Sequence, residues 1–310
     1  MSMNRSDGFE QIALQGGSTS YFSEPESELD PRLFTGTTLN PWVRNGILQL
    51  LFDFLNSVYR HPDLWAHVWI AGSGVSYQWS AAREPGDLDV LIGVEYIQFR
   101  KAHPEYSGLT DMEISKMLNE DFRENLQPDT ENWNGFEVTF YVNPGATDIK
   151  TIHPYAAYDL IHNEWTVFPE KTGAPKQPVW ESVAQRDKSM ASDIIMRYSK
   201  AHTDIQGAQN DAARRNAEFR LQQALSQASM LFEDIHSSRR LAFSQQGAGY
   251  ADFYNYRWQA GKKYGTVPAL RQMHDFYQAQ KTQDAETTYG VELPDTQTLI
   301  RRAATYRAKG

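Results

Sequence analysis

At 310 residues, 40% hydrophobic, 22% charged and 13% aromatic, the chain has a globular composition and length enough for one large or two ordinary domains. No apolar run approaches the ~18 residues that span a bilayer, and the absence of cysteine removes disulfides, thiolate metal sites and cysteine nucleophiles together. A formal net charge of −9 argues against general adhesion to nucleic acid.

The charge is uneven. Residues 1–155 hold 10 Lys+Arg against 22 Asp+Glu, and residues 156–310 hold 20 against 17. An acidic front half suits a metal-using site, and a mildly basic back half suits a surface that tolerates a polyanion. The first residues, "MSMNRSDGFEQIALQGG", carry no charged-then-apolar secretory pattern, so a cytoplasmic protein without membrane partners is expected.

In chain order, residues 1–37 are Gly-, Ser- and acid-rich with little periodicity and read as a loosely ordered arm. Order begins at Asn40-Pro41, a cap and first helical position, followed by Trp42, Val43, Ile47, Leu48, Leu51, Phe54, Leu55 and Val58 at helical spacing. "HVWIAG" and "LDVLIGV" are short buried-strand runs, and "VSYQWSA" between them has room for a short helix. Thr110-x-x-Glu113 is a capping box for a helix presenting Ile114, Met117, Leu118 and Phe122. "GFEVTFYVNP" alternates, with Phe136, Val138, Phe140 and Val142 on one side and Glu137, Thr139 and Tyr141 on the other. A hairpin is expected to turn at His162-Asn163, and Pro169–Pro178 reads as a linker.

Beyond it the pattern is helical: 187–204, about 209–244 with Phe219, Leu221, Leu225, Leu231, Phe232 and Ile235 as its stripe, two more helices after Tyr250 and from Thr266, and a last from about Asp295. The expected organisation is an arm (1–37), a catalytic domain (38–175) and a helical domain (176–310).

The chemistry concentrates in "AGSG" and "DLDVLI". On a pleated strand Asp87 and Asp89 project to one face, about 6–7 Å apart at Cα, while Leu88 and Val90 face the core. Two carboxylates that close repel unless a cation lies between them, and magnesium favours such oxygen donors together with substrate phosphates. Gly72, Ser73 and Gly74 let backbone N–H groups approach a phosphate, with the Ser73 hydroxyl as a further donor and a following helix start as an aid.

Gly72-Ser73, thirteen intervening residues, and Asp87-Leu88-Asp89 in an apolar strand resemble the signature of the nucleotidyltransferase superfamily that includes polymerase β. The resemblance covers about Asn40 to Pro169 and extends to predicted bacteriophage-encoded nucleotidyltransferases. It implies an α+β fold with a polymerase β-like core, a small mixed sheet flanked by helices, ahead of an all-helical domain. It also implies a third carboxylate on a later strand, which Glu137 supplies; Asp148 and Asp159 compete for that part. The spacing is at the long end of the usual range, and Gly86 stands where Ser often precedes the first Asp.

What the resemblance implies is two-metal phosphoryl transfer. Asp87, Asp89 and Glu137 would hold two Mg²⁺ ions, with Mn²⁺ as a substitute. Gly72, Ser73 and Gly74 would bind the NTP phosphates, and Lys200 is a candidate to reach them from the helical half. The acceptor would be a hydroxyl, with an RNA or tRNA 3′ end favoured by the charge asymmetry over a small molecule or a protein. Two rivals stand beside it: a degenerate member that binds nucleotide or a partner without turnover, and a metal-dependent phosphodiesterase. Ser73 as a hydrolase nucleophile lacks the G-x-S-x-G elbow. The eight histidines show no ligand spacing along the chain.

Overall fold

The computed structural model describes residues 12–142, 148–290, 294 and 296–307; the first eleven residues of the expected arm, Asn143-Pro144 and Asp295 lie outside these. The architecture is α+β and resolves into two compact units. One comprises 20–173, 243–250 and the 294–310 segment; the other comprises the N-terminal residues to Thr19, 174–242 and 251–293.

The α/β unit is built on a five-stranded mixed sheet. Its strands are β3 (Ala66–Ala71), β4 (Gly86–Val94), β5 (Phe136–Val142), β6 (Ala157–Asp159) and β7 (Glu164–Val167), with a separate two-stranded ribbon of β1 (Phe34–Thr35) and β2 (Thr38–Leu39). The sheet order is β5-β4-β3-β6-β7. β4 runs antiparallel to β3 and parallel to β5, and β6 pairs antiparallel with both β3 and β7.

Alternation decides which face is which. Leu88, Val90, Ile92 and Val94 of β4 and Phe136, Val138, Phe140 and Val142 of β5 all lie in the main core. Helix α1 (Pro41–Val58) adds Val43, Ile47, Leu51 and Leu55 at four-residue spacing to the same core. Following α2 (Tyr96–Ala102), helix α3 (Asp111–Asp121) contributes Ile114, Met117 and Leu118. Its capping box forms as expected, with Thr110 and Glu113 bonding reciprocally. Asn40 occupies the N-cap position of α1 but does not cap: its side chain instead accepts from Thr35 Oγ1 at 2.8 Å and donates to the Arg32 carbonyl at 3.3 Å.

Two segments depart from the sequence expectation. Residues 20–37 are no loose arm: Leu29, Leu33 and Phe34 are buried in the main core, Asp30 is buried against Arg32, and Ile12 further upstream belongs to the helical unit's core. Too few apolar residues, spaced by turns rather than by a helix or strand period, carry that packing to leave a periodic signal. Helix α9 (Thr296–Arg307) also leaves the helical unit. Ile300 and Ala304 enter the α/β core, Arg301 pairs with Asp121, and Arg307 pairs with Glu113.

A π-turn (Phe122–Leu126) and the short α4 (Gln127–Thr130) lead from α3 to β5. The helical unit packs α5 (Pro178–Gln206), α6 (Asp211–Ala242), α7 (Phe253–Lys263) and α8 (Thr266–Tyr289) around Ile194, Tyr198, Leu225, Phe232, Trp258 and Leu270. On α6 the buried stripe runs Ala217, Ala224, Leu225, Ala228, Leu231, Phe232 and Ile235. Phe219, expected in that stripe, is 64% exposed, because two helical residues turn about 200° and carry it to the opposite face.

Candidate functional site

The face of the sheet opposite the main core carries the acidic residues. Asp87 and Asp89 are half-buried while their neighbours Gly86, Leu88 and Val90 are buried, so both carboxylates leave β4 on one side. Parallel pairing puts Glu137 of β5 in register with Asp87, and Thr139 with Asp89. On the other flank Asp89 is in register with Ala71, the last residue of β3. The three carboxylates therefore come from adjacent strands, on one face, near the end at which β3 delivers Gly72.

Gly72 is required at that corner. Its φ of 91° with ψ of −162° belongs to glycine, and a Cβ there would lie 2.7 Å from Asp89 Oδ2. The backbone passes against the carboxylate because nothing projects from it. Gly74 has a parallel reason, since a Cβ on it would overlap the Asp87 carbonyl oxygen.

Two details of the Gly-Ser-Gly turn differ from the sequence expectation. Residues Ser73–Val75 form one 3₁₀ turn rather than the start of a helix, so no helix dipole is aimed at a ligand. The Gly72 N–H is also taken, donating to the Ala156 carbonyl at 3.2 Å, which leaves any phosphate cradle to Ser73 and Gly74. The turn is pinned by Ser76, whose N–H and hydroxyl donate to the Ser73 carbonyl at 3.1 and 3.0 Å.

A small open cleft adjoins this corner, lined by Ser73, Gly74, Asp87, Trp79 and two arginines, Arg32 and Arg83. Sequence reasoning missed both cations. Arg32 is held bidentately by Asp30 and lies over the Phe136 ring at 4.5 Å. Arg83 is the more consequential. Its guanidinium reaches Asp87 Oδ2 at 2.5 Å and Glu137 at 3.6 Å, standing between two of the carboxylates assigned to a cation. The sequence signal was present in "REPGD", where Arg83 precedes Asp87 by four residues across a turn.

The competing carboxylates fall elsewhere. Asp148 caps a 3₁₀ turn by accepting from the Lys150 N–H at 2.9 Å. Asp159 lies on β6, beyond β3 from the acidic trio, between two histidines. Lys200 is an exposed residue of α5 in the helical unit.

That histidine group is the second thing the sequence concealed. His67 Nε2 and His162 Nδ1 both contact Asp159 Oδ2 at 2.8 Å. Hydrogen bonds from His162 and His67 outweigh burial and hold the Asp159 carboxyl below its usual range, and Asp159 in turn raises His162. Among the described residues this is the one group of three or more such side chains found with ligand atoms all within 4.8 Å of one another. His67 and His162 stand 95 residues apart, so no spacing rule reveals them.

Compared with protein-family models, curated proteins and solved structures, the chain matches none. Among the described residues no helix is long and apolar enough to cross a membrane.

Proposed function

We propose that the α/β unit is a Mg²⁺-dependent nucleotidyltransferase that moves a nucleoside monophosphate from an NTP to a hydroxyl acceptor and releases pyrophosphate. The observation that carries this reading is the alignment of Asp87, Asp89 and Glu137 on one face of two paired strands, beside the glycine corner at the end of β3. A strand ending in Gly-Ser, an Asp-x-Asp strand next to it and a third carboxylate on the strand beyond also support a polymerase β-like core.

The donor set fits the cation. It consists of hard carboxylate oxygens without nitrogen or sulfur, as Mg²⁺ prefers. The expected occupancy is two ions about 3.5–4 Å apart. Asp87, Asp89 and Glu137 would hold them. When bound, such ions neutralise charge developing on the transferred phosphoryl group and lower the pKa of the acceptor hydroxyl.

The chain's own groups do the rest. Glu137, 41% exposed, is open to an incoming acceptor and can accept its proton. Ser73 and Gly74 line the cleft, and the Ser73 hydroxyl and the Gly74 N–H would serve as donors to the triphosphate. Arg83, once released from Asp87, can pair with a phosphate oxygen without leaving that cleft. The acceptor we favour is an RNA 3′ hydroxyl, on the strength of the basic back half of the sequence.

A second reading rests on Arg83 itself. If the Arg83 pairing with Asp87 and Glu137 is permanent, the positive charge is already supplied, and the unit binds nucleotide or a partner without turnover. The two separate in one assay: labelled NTPs are incubated with total tRNA and then with a small-molecule hydroxyl panel, with and without Mg²⁺. Transfer that needs Mg²⁺ and disappears in Asp89→Asn supports the enzyme. Nucleotide binding that ignores both the metal and that substitution, with no transfer, supports the binder.

A further inference from the structure

The acidic trio occupies only one end of its sheet face. Four residues back along β3 from Ala71, about 13 Å by strand rise, His67 projects on the same face, its ring 4.3 Å from that of Trp69. Asp159 is in register with Trp69 on the neighbouring strand, and His162 lies in the turn between β6 and β7. From these positions His67 Nε2 and His162 Nδ1 converge on a single oxygen, Asp159 Oδ2.

The other carboxylate oxygen is occupied. Asp159 Oδ1 accepts from the Ile161 and His162 N–H groups, both at 2.8 Å. Backbone donors fix the carboxylate plane and leave one oxygen to face the two imidazoles, as outer-shell partners do for a metal-ligating carboxylate. We propose that His67 Nε2, Asp159 Oδ2 and His162 Nδ1 form a site for a borderline divalent transition cation of the Zn²⁺ class, separate from the carboxylate trio.

Donor chemistry separates the two sites. Two imidazole nitrogens and one oxygen favour Zn²⁺ and its transition-metal neighbours over Mg²⁺. Ligand atoms around a tetrahedral ion with bonds of about 2.0–2.2 Å stand roughly 3.3 Å apart. The two N···O separations of 2.8 Å would open by about 0.5 Å, the two nitrogens already lie within 4.8 Å of each other, and the His162 side chain, 61% exposed, has room to turn. The same exposure leaves a fourth position for water, the open arrangement of three protein ligands plus solvent. An ion there would tie the β6–β7 turn to β3.

The test is Zn²⁺ binding to the full, chelator-stripped chain by calorimetry, followed by Co²⁺ substitution read in the visible spectrum. Asp87→Asn/Asp89→Asn/Glu137→Gln provides the background in which the trio cannot contribute. One Zn²⁺ per chain is expected in wild type and in that background, with ligand-field bands from Co²⁺. His162→Ala, an exposed change that leaves the core intact, should weaken binding at least about tenfold, and His67→Gln should do the same. No uptake, uptake lost with the trio, or uptake indifferent to His162→Ala would each overturn the site. Because the trio variant is the background throughout, failure here is distinct from failure of the transferase reading.

Discussion

Arg83→Gln probes the acidic site most directly. The guanidinium contacts Asp87 at 2.5 Å and Glu137 at 3.6 Å, with Arg83 46%, Asp87 27% and Glu137 41% exposed. Pairs as exposed as these are worth about 0.2–1 kcal/mol. Removing the arginine leaves Asp87 and Glu137 opposed on neighbouring strands, about 5 Å apart, where repulsion amounts to about 1–3 kcal/mol for effective dielectric constants between 80 and 20. The carboxylates can turn outward to relieve much of that, so the net loss in metal-free buffer should be about 1 kcal/mol. Mg²⁺ should then recover it. If a cation must displace Arg83, removing a contact of 0.2–1 kcal/mol tightens Mg²⁺ binding by about 1.4- to 5-fold. The assay is chemical denaturation with and without chelator, followed by Mg²⁺ titration of both proteins. Equal or weaker Mg²⁺ binding in Arg83→Gln, or Mg²⁺ stabilisation that persists in Asp87→Asn/Glu137→Gln, would refute the reasoning.

Two further outcomes follow from particular residues. Gly72→Ala combines a φ of 91° with a Cβ 2.7 Å from Asp89 Oδ2, and should cost about 1–3 kcal/mol from backbone strain alone; Gly173→Ala, with nothing within 4 Å, should be close to neutral in the same urea titration. In the helical unit Glu181 accepts from Tyr264, from Gln185 at 2.9 Å and from Tyr256 at 2.7 Å. The Tyr264 bond chiefly holds the Glu181 carboxyl below its ordinary 4.5, and burial, with Glu181 adding, pushes the Tyr264 phenol up to about 12. A depressed acid stabilises above its ordinary value and loses that stability as pH falls through its folded pKa. A raised phenol stabilises below its ordinary 10 and loses that stability as pH rises through about 12. Tyr264→Phe should remove about 1 kcal/mol at neutral pH and flatten both limbs of a stability–pH curve; an unchanged curve would show that the bond contributes nothing.

What the sequence by itself determined is what neighbours along the chain can specify. The alternation of "DLDVLIGV" and "GFEVTFYV" sets the buried and open faces of β4 and β5, and thereby puts Asp87 and Asp89 on one side. Thr110 and Glu113 mark a helix start because both ends of the capping bond lie within one turn. The hairpin at His162-Asn163 and the long helices are local in the same sense.

The rest required the chain to fold back on itself. Glu137 meets Asp87 only through the parallel register of β4 with β5, and strand pairing is not written in either strand alone. The burial of Leu29, Leu33 and Phe34, and the docking of α9 by Ile300 and Ala304, depend on which core is within reach. Arg83 between two carboxylates, and His67 and His162 on one oxygen of Asp159, are meetings of side chains whose positions come from different elements. Periodicity reports the direction in which a residue faces; only tertiary packing decides what it faces.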